Sequence, residues 1–375
     1  MNLFDVYPLY DVTPVSAKGM VVKDDKDQEY LDFYGGHAVI SIGHSHPTYV
    51  KRLKDQLDNI GFYSNAVKNP LQEELASKLG KLSNCKDYNL FLCNSGAEAN
   101  ENALKLASFK NGKSRVITFK NSFHGRTSAA VAVTDNEKIN APINKQQKVT
   151  FLPFDDIKAF TIEIEKGDVC AVILETIQGV GGLDEPTTEF YQNVANLCKQ
   201  HGVVLIADEI QCGYGRSGKF FAFQHHNVHP DIITIAKGMG NGFPVGGVLI
   251  HKDIEASYGL LGTTFGGNHL ACAASLAVLE VIDEENLVQN AANIGTYFKE
   301  KAATLPQVQK TKGRGLMLGL QFNFDVSELR KKLIHKHHLF TGGAKDKHVL
   351  RILPALNCKE QQIDLLFNAL KSELS

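Results

Sequence analysis

Two stretches decide the fold: Val203-Val204-Leu205-Ile206-Ala207 ending at Asp208, and Ile232-Ile233-Thr234-Ile235-Ala236 ending at Lys237. A third, Val169-Cys170-Ala171-Val172-Ile173-Leu174, ends at Glu175. A continuous β-branched run, with no polar residue on alternate positions, reads as a strand buried on both faces. Each run delivers an ionisable residue at its carboxyl end, the edge where open α/β sheets bind ligands. From about Asp87 to Ile250 such runs alternate with amphipathic helical stretches, which predicts an α/β large domain with a mostly parallel central sheet.

Outward from this region the pattern changes. An N-terminal arm leads to a predicted hairpin around Met20–Lys23 and Glu29–Phe33, joined by the polar turn Asp24–Asp27. Ala271–Ile282 reads as a long helix, and the segment from Leu287 onward mixes helices with short strands such as Gly315–Leu320, a smaller α+β domain. We divide the chain into residues 1–45 (arm and part of the small domain), 46–255 (large domain) and 256–375 (C-terminal small domain). At roughly 150 residues per domain, 375 residues suit this division.

Composition narrows the function. Forty Lys and Arg against 41 Asp and Glu leave a net charge of -1, with no basic excess to hold nucleic acid. No run approaches the ~20 apolar residues of a membrane span, and Asp5 stands where a secretory signal needs a basic region. Seven scattered cysteines without a C-x-x-C pair predict reduced thiols in a cytoplasmic protein.

Several segments carry the residue types of a chemical site. Ser95-Gly96-Ala97-Glu98 follows an apolar run and opens a helix, with Ser95 and Glu98 spaced as a capping box. The free N–H groups of Gly96 and Ala97 suit a phosphate, although the same pattern also describes an ordinary capped helix. Gly112-Lys113-Ser114 lacks the first glycine of a P-loop, because position 107 is Ala; Phe243 breaks a dinucleotide fingerprint after Gly238 and Gly240. His44-Ser45-His46 and His225–His229 show metal-like spacings without a third ligand in pattern, so no metal is assigned. The basic stretch Lys331–His338 reads as a solvated helix face.

Asp208 and Lys237 are the sharper pair. A strand-end carboxylate needs a cation or donors against it, and burial lowers a lysine pKa until the free amine is a nucleophile. A plain salt bridge between the two satisfies the same pattern. Pyridoxal phosphate satisfies it as well: aldehyde on Lys237, ring nitrogen on Asp208, phosphate at a helix N-terminus.

Ser95–Asn100, Phe123-His124-Gly125-Arg126-Thr127, Asp208-Glu209-Ile210-Gln211, Ile235-Ala236-Lys237-Gly238 and Thr263-Thr264-Phe265-Gly266-Gly267-Asn268 together resemble the class III pyridoxal-phosphate aminotransferases, most of all the acetylornithine aminotransferase group. The resemblance runs from Tyr30-Leu31-Asp32-Phe33 to Arg351-Ile352-Leu353-Pro354 and implies the type I transferase fold with active sites shared in a homodimer.

It also implies roles. Lys237 bonds the cofactor and shuttles a proton, Asp208 keeps the ring nitrogen protonated, and Gln211 meets the ring hydroxyl. Ser95, Gly96 and Ala97 hold the phosphate, together with Thr264 from the neighbouring subunit, and Phe123 stacks on the ring. Arg126, Thr263, Arg351, Glu175 and His37 form the substrate side, with Arg126 on the ornithine-derivative carboxylate and Arg351 on glutamate or 2-oxoglutarate. The implied reaction moves the δ-amino group of N2-acetylornithine or N2-succinylornithine to 2-oxoglutarate, in arginine biosynthesis. Another ω-aminotransferase, acting on ornithine, 4-aminobutyrate or a diamine, is the alternative, with a non-catalytic binding protein on the same fold behind it.

Two positions depart from the family. Val180 stands in Gln178-Gly179-Val180-Gly181 where many relatives carry Glu, so the acid that neutralises Arg351 is missing; His37 follows Gly35-Gly36 where relatives carry Ile. These changes fit a larger or more acidic acyl group such as succinyl, and neutral drift at two pocket-edge positions accounts for them equally.

Overall fold

The computed structural model describes all residues, Met1–Ser375. The chain opens with three antiparallel strands, β1 (Pro14–Lys18), β2 (Val21–Asp24) and β3 (Glu29–Asp32), so the predicted hairpin forms and gains a third strand from the arm. A single turn α1 (Gly35–Ala38) and helices α2 (Pro47–Asn59) and α3 (Pro70–Leu82) follow. The central region then runs β4 (Tyr88–Cys93), α4 (Gly96–Asn111), β5 (Arg115–Phe119), α5 (Ser128–Ala132), β6 (Val149–Leu152), α6 (Ile157–Ile164), β7 (Val169–Glu175), α7 (Thr188–His201), β8 (Val204–Asp208), β9 (Ile232–Ile235) and β10 (Gly246–His251).

These seven strands form one sheet in the order β4-β10-β9-β8-β7-β5-β6. Pairs β5–β6, β5–β7, β7–β8 and β8–β9 are parallel, and β10 is antiparallel to both its neighbours. Alternation along β8 explains its apolar run: Leu205 and Ala207 belong to one core cluster, Val204 and Ile206 to another. Both faces are therefore covered, and every residue of the strand is buried. The same alternation turns Asp208 toward the face where α4 packs.

Beyond the sheet come α8 (His269–Glu284), α9 (Leu287–Ala302), β11 (Lys310–Arg314), β12 (Met317–Gln321), α10 (Ser327–His337), β13 (Leu339–Phe340), β14 (Gly342–Gly343), β15 (Val349–Ile352) and α11 (Glu360–Leu374). Strand β13 pairs in parallel with β3, so the two chain ends share a sheet, while β11-β12-β15-β14 form another. Helix α8 is almost wholly buried, in keeping with its Ala/Leu/Val sequence. No helix is long and apolar enough to cross a membrane.

One buried cation joins these parts. Arg216 is 2% exposed and meets no carboxylate; its guanidinium donates to the carbonyls of Leu316 at 3.2 Å, of Ile40 at 3.3 Å and of Pro354. Burial pulls its pKa down to about 10.

Candidate active site

A cavity of about 410 Å³ lies at the carboxyl edge of the central sheet, lined in part by Ser95, Gly96, Ala97, Phe123, Arg126, Glu175, Asp208, Gln211 and Lys237. This volume lies within the usual range for a small-molecule site. Adjacent strands β7, β8 and β9 bring Glu175, Asp208 and Lys237 there, with Glu175 opposite Asp208 in the parallel register.

Asp208 is 3% exposed, and its partners are not Lys237. Its Oδ2 accepts from Asn100 Nδ2 at 2.8 Å and lies 2.7 Å from His124 Nδ1; Oδ1 accepts only the N–H of Ile210, at 3.1 Å. The plain salt bridge considered from sequence is thus absent. With its proton on Nδ1, His124 donates to Asp208 while Nε2 accepts from Thr118 Oγ1 at 3.2 Å. Asn100 also donates to the His124 carbonyl at 2.7 Å and accepts from Thr234 Oγ1 at 2.8 Å. Sequence reading gave His124 and Asn100 no role, although both stand inside quoted motifs.

Lys237 is half-buried, and its amine makes no ion pair. Loss of solvation pulls its pKa down, against the opposing pull of Asp208 and Glu175. Its φ of 45° is a left-handed conformation uncommon for a side-chain-bearing residue, a form of strain that concentrates at functional sites.

At the other end of the cavity Ser95 caps α4, with Oγ accepting the Glu98 N–H at 3.2 Å. The expected capping box is displaced by one residue. Glu98 Oε2 accepts the N–H of Asn94 at 2.8 Å rather than that of Ser95. The N–H groups of Ser95, Gly96 and Ala97 have no intrahelical acceptor and lie at the positive end of the helix dipole. Small residues keep this cup open: a Cβ on Gly96 would lie 2.8 Å from Ile210, and one on Gly125 2.8 Å from Ala97.

Gln211 donates from Nε2 to the His37 carbonyl at 3.0 Å, while its Oε1 is buried without a partner. A buried amide oxygen left unpaired costs free energy, and it lies beside a cavity that a polar ring substituent would fill. The free anion cup, the orphaned amide oxygen, the strand-end carboxylate and the solvent-poor amine fit pyridoxal phosphate at four separate points.

The substrate-side residues divide. Arg126 is exposed at the cavity rim. Arg351 is 3% exposed and lies behind the Gly179–Val180 loop; Nη1 donates to the Gly179 carbonyl at 2.8 Å and Nε to the Gly343 carbonyl at 2.5 Å. No carboxylate lies within ion-pair distance of it. Burial pulls its pKa down and the Tyr34 phenol beside it counters this. Val180 lines the cavity.

His37 sits in α1, whose four residues all have positive φ, and its Nδ1 is 2.5 Å from the Tyr34 hydroxyl. Glu175 accepts the N–H groups of Phe123 at 2.9 Å and Gly179 at 2.7 Å, so both oxygens already hold backbone. Thr263 Oγ1 accepts from Asn94 Nδ2 at 3.4 Å and from the Gly266 N–H at 3.0 Å. Thr264 is exposed and lies outside the cavity of its own chain.

Comparisons with known proteins agree with this geometry. The family described as aminotransferase class-III matches residues 6–374. The acetylornithine aminotransferase of Bacillus subtilis (strain 168) is 41% identical over 380 residues, covering 100% of this chain and 98% of that protein. An S-selective transaminase from Arthrobacter sp. superimposes with a TM-score of 0.91 at 26% identity, over 100% of this chain and 95% of the other. The ornithine aminotransferase of Toxoplasma gondii, in a structure described as having partial occupancy of PLP at its active site, gives 0.89 at 27% identity, over 98% and 90%.

Proposed function

The chain belongs to the class-III aminotransferases, and on that premise we propose that it moves the δ-amino group of N2-acetylornithine, or of its N2-succinyl analogue, to 2-oxoglutarate. The products are the N-acyl-glutamate semialdehyde and glutamate, and the step belongs to arginine biosynthesis. Its cofactor is pyridoxal phosphate. The observation that carries the reading is the placement in one cavity of Asp208, at the end of β8, and Lys237, just beyond the end of the neighbouring β9, unpaired with each other, with Arg126 free at the rim.

Bound pyridoxal phosphate supplies an electron-withdrawing ring that takes up the electron pair left when the amine-bearing carbon loses its proton. The protein does the rest. Lys237 Nζ, whose pKa burial pulls down, would hold the cofactor and would carry the proton between carbons. Asp208, anchored through Oδ2 by His124 and Asn100, would pair with the ring nitrogen. The N–H groups of Ser95, Gly96 and Ala97 would hold the phosphate, Phe123 would cover one ring face and Gln211 would receive the ring hydroxyl.

Arg126 binds the carboxylate of the amino donor, and the planar fork of Arg351 binds a carboxylate of 2-oxoglutarate. Thr263 and His37 border the donor's tail.

The active unit is a homodimer in which Thr264 reaches the phosphate of the partner copy. Support comes from the apolar side chains exposed around it: Phe62, Tyr63, Val67 and Phe265, with the rings of Phe62 and Phe265 5.4 Å apart. Seven free, buried cysteines support a cytoplasmic setting. The pairing of β3 with β13 supports a small domain made from both chain ends.

Glutamate formation from 2-oxoglutarate, with acetylornithine, succinylornithine, ornithine and 4-aminobutyrate compared as donors, tests the reading. An acylated ornithine has the highest kcat/KM if it is right. The ornithine aminotransferases among the structural neighbours favour the rival reading, which a preference for free ornithine would establish.

A further inference from the structure

Glu175 occupies an unusual place between the two arginines of the site. Its carboxylate is 6% exposed and forms no ion pair within 4 Å. Oε1 accepts the Phe123 N–H, and Phe123 begins the segment that carries Arg126 three residues later. Oε2 accepts the Gly179 N–H, and the carbonyl of the same Gly179 accepts Nη1 of Arg351. One carboxylate therefore ties down both the Arg126 loop and the backbone group that fixes Arg351. The loop is held further along as well, since the next carbonyl, of Val180, accepts the Lys345 N–H at 2.8 Å.

A carboxylate is costly in this position. Burial drives its pKa upward, opposed first by His124 and then by the two backbone donors, with Asp208 adding to the rise. A hydrophobic or amide side chain would fill the same space at a lower desolvation cost, but neither offers two equivalent acceptor oxygens pointing to opposite loops.

We propose that Glu175 is a positioning residue that sets the separation between Arg126 and Arg351, and thereby the length of dicarboxylate that the site accepts. This rests on the reading above, in which both arginines bind carboxylates, and adds that Arg126, which holds the donor's carboxylate in the first half-reaction, holds the far carboxylate of the dicarboxylate acceptor in the second while Arg351 holds the near one. Glu175 touches no substrate in this account; it acts through Phe123 and Gly179.

The test compares the wild-type holoenzyme with Glu175→Gln and Glu175→Asp. Glutamine keeps one acceptor and presents an N–H₂ to the other loop, releasing it. Aspartate keeps both acceptors one methylene further from their donors. Acceptors of four, five and six carbons (oxaloacetate, 2-oxoglutarate, 2-oxoadipate) are assayed with acetylornithine as donor, and the Kd values of succinate and glutarate are measured by calorimetry.

Glu175→Gln should raise KM for 2-oxoglutarate about tenfold with kcat changed less than about threefold, the scale expected for losing one charge-assisted hydrogen bond. The preference for five carbons over four, and for glutarate over succinate, should shrink by a similar factor. Glu175→Asp should fall between the two. Unchanged chain-length ratios in both variants would overturn the proposal, as would a loss confined to kcat. A lower KM in Glu175→Gln would overturn it too, because it would mean that the carboxylate faces and repels the substrate directly. A wild-type enzyme that made no glutamate at all would instead refute the proposed function.

Discussion

Nδ1 of His124 lies 2.7 Å from Oδ2 of Asp208, a buried pair beside the cavity, while the second aspartate oxygen accepts only the Ile210 N–H. The arrangement separates two tasks. One oxygen is anchored by His124 and Asn100, and the other stays available to a cationic ring nitrogen. The pair is also why Lys237 remains unpaired: the donors that offset the desolvation of Asp208 come from β5's following loop and α4, not from β9.

Removing either anchor should loosen the cofactor. His124→Ala and Asn100→Ala each delete a hydrogen bond to a buried carboxylate, worth about 1.5–3 kcal/mol. The Kd for pyridoxal phosphate, followed by fluorescence titration of the apo-protein, should rise by about tenfold or more in each variant. Unaltered affinity would mean that Asp208 does not depend on them.

The amine of Lys237 carries its own pH dependence. Burial depresses its pKa, so the neutral form is present at lower pH than for a lysine in water, whose pKa is ~10.4. The rate of cofactor attachment to apo-protein should rise with pH and level off below that value. The linkage to stability has the matching sign. The unfolded chain binds the lysine proton more tightly, so this group's contribution to the apo-fold grows as pH rises through the depressed pKa. An attachment rate still climbing above the unperturbed lysine pKa of ~10.4 would contradict the depressed pKa.

Val180 gives a substrate prediction. It lines the cavity next to the peptide that holds Arg351, and a carboxylate in its place would sit near that guanidinium. Val180→Glu should lower kcat/KM for succinylornithine about tenfold more than for acetylornithine, as expected for a misplaced charge against a neutral acyl group. Equal losses would remove the argument for an acidic acyl group.

Arg216 is predicted to matter for stability and not for chemistry. Arg216→Met strips donors from three buried carbonyls, of Ile40, Leu316 and Pro354, and should cost about 3 kcal/mol or more in urea unfolding. The Kd for pyridoxal phosphate should change little in the folded fraction. A melting curve identical to wild type would show that water replaces the guanidinium without cost.

Much of this site was readable in advance because strand-end chemistry follows from local pattern. The apolar runs before Glu175, Asp208 and Lys237 mark central strands, and their last residues fall at the ligand edge whatever the rest of the chain does. The Ser95 cap is equally local. What escaped is non-local. Asn100 meets Asp208 across 108 residues and His124 meets it across 84, distances over which no periodicity speaks. The positive φ angles of His37 and Ala38 in α1 have no signature in their own side chains; Gln211 binding the His37 carbonyl helps to hold them. Strands β13 and β14 have two residues each, too short for a pattern, and exist because β3 and β15 offer free edges.

The most direct test of the account is to add pyridoxal phosphate to apo-protein, reduce with borohydride and map the modified peptide by mass spectrometry. The account predicts one added pyridoxyl group per chain, on Lys237, and none on Lys237→Ala. Label spread over surface lysines, or a labelled chain whose Lys237 peptide is unmodified, would contradict it.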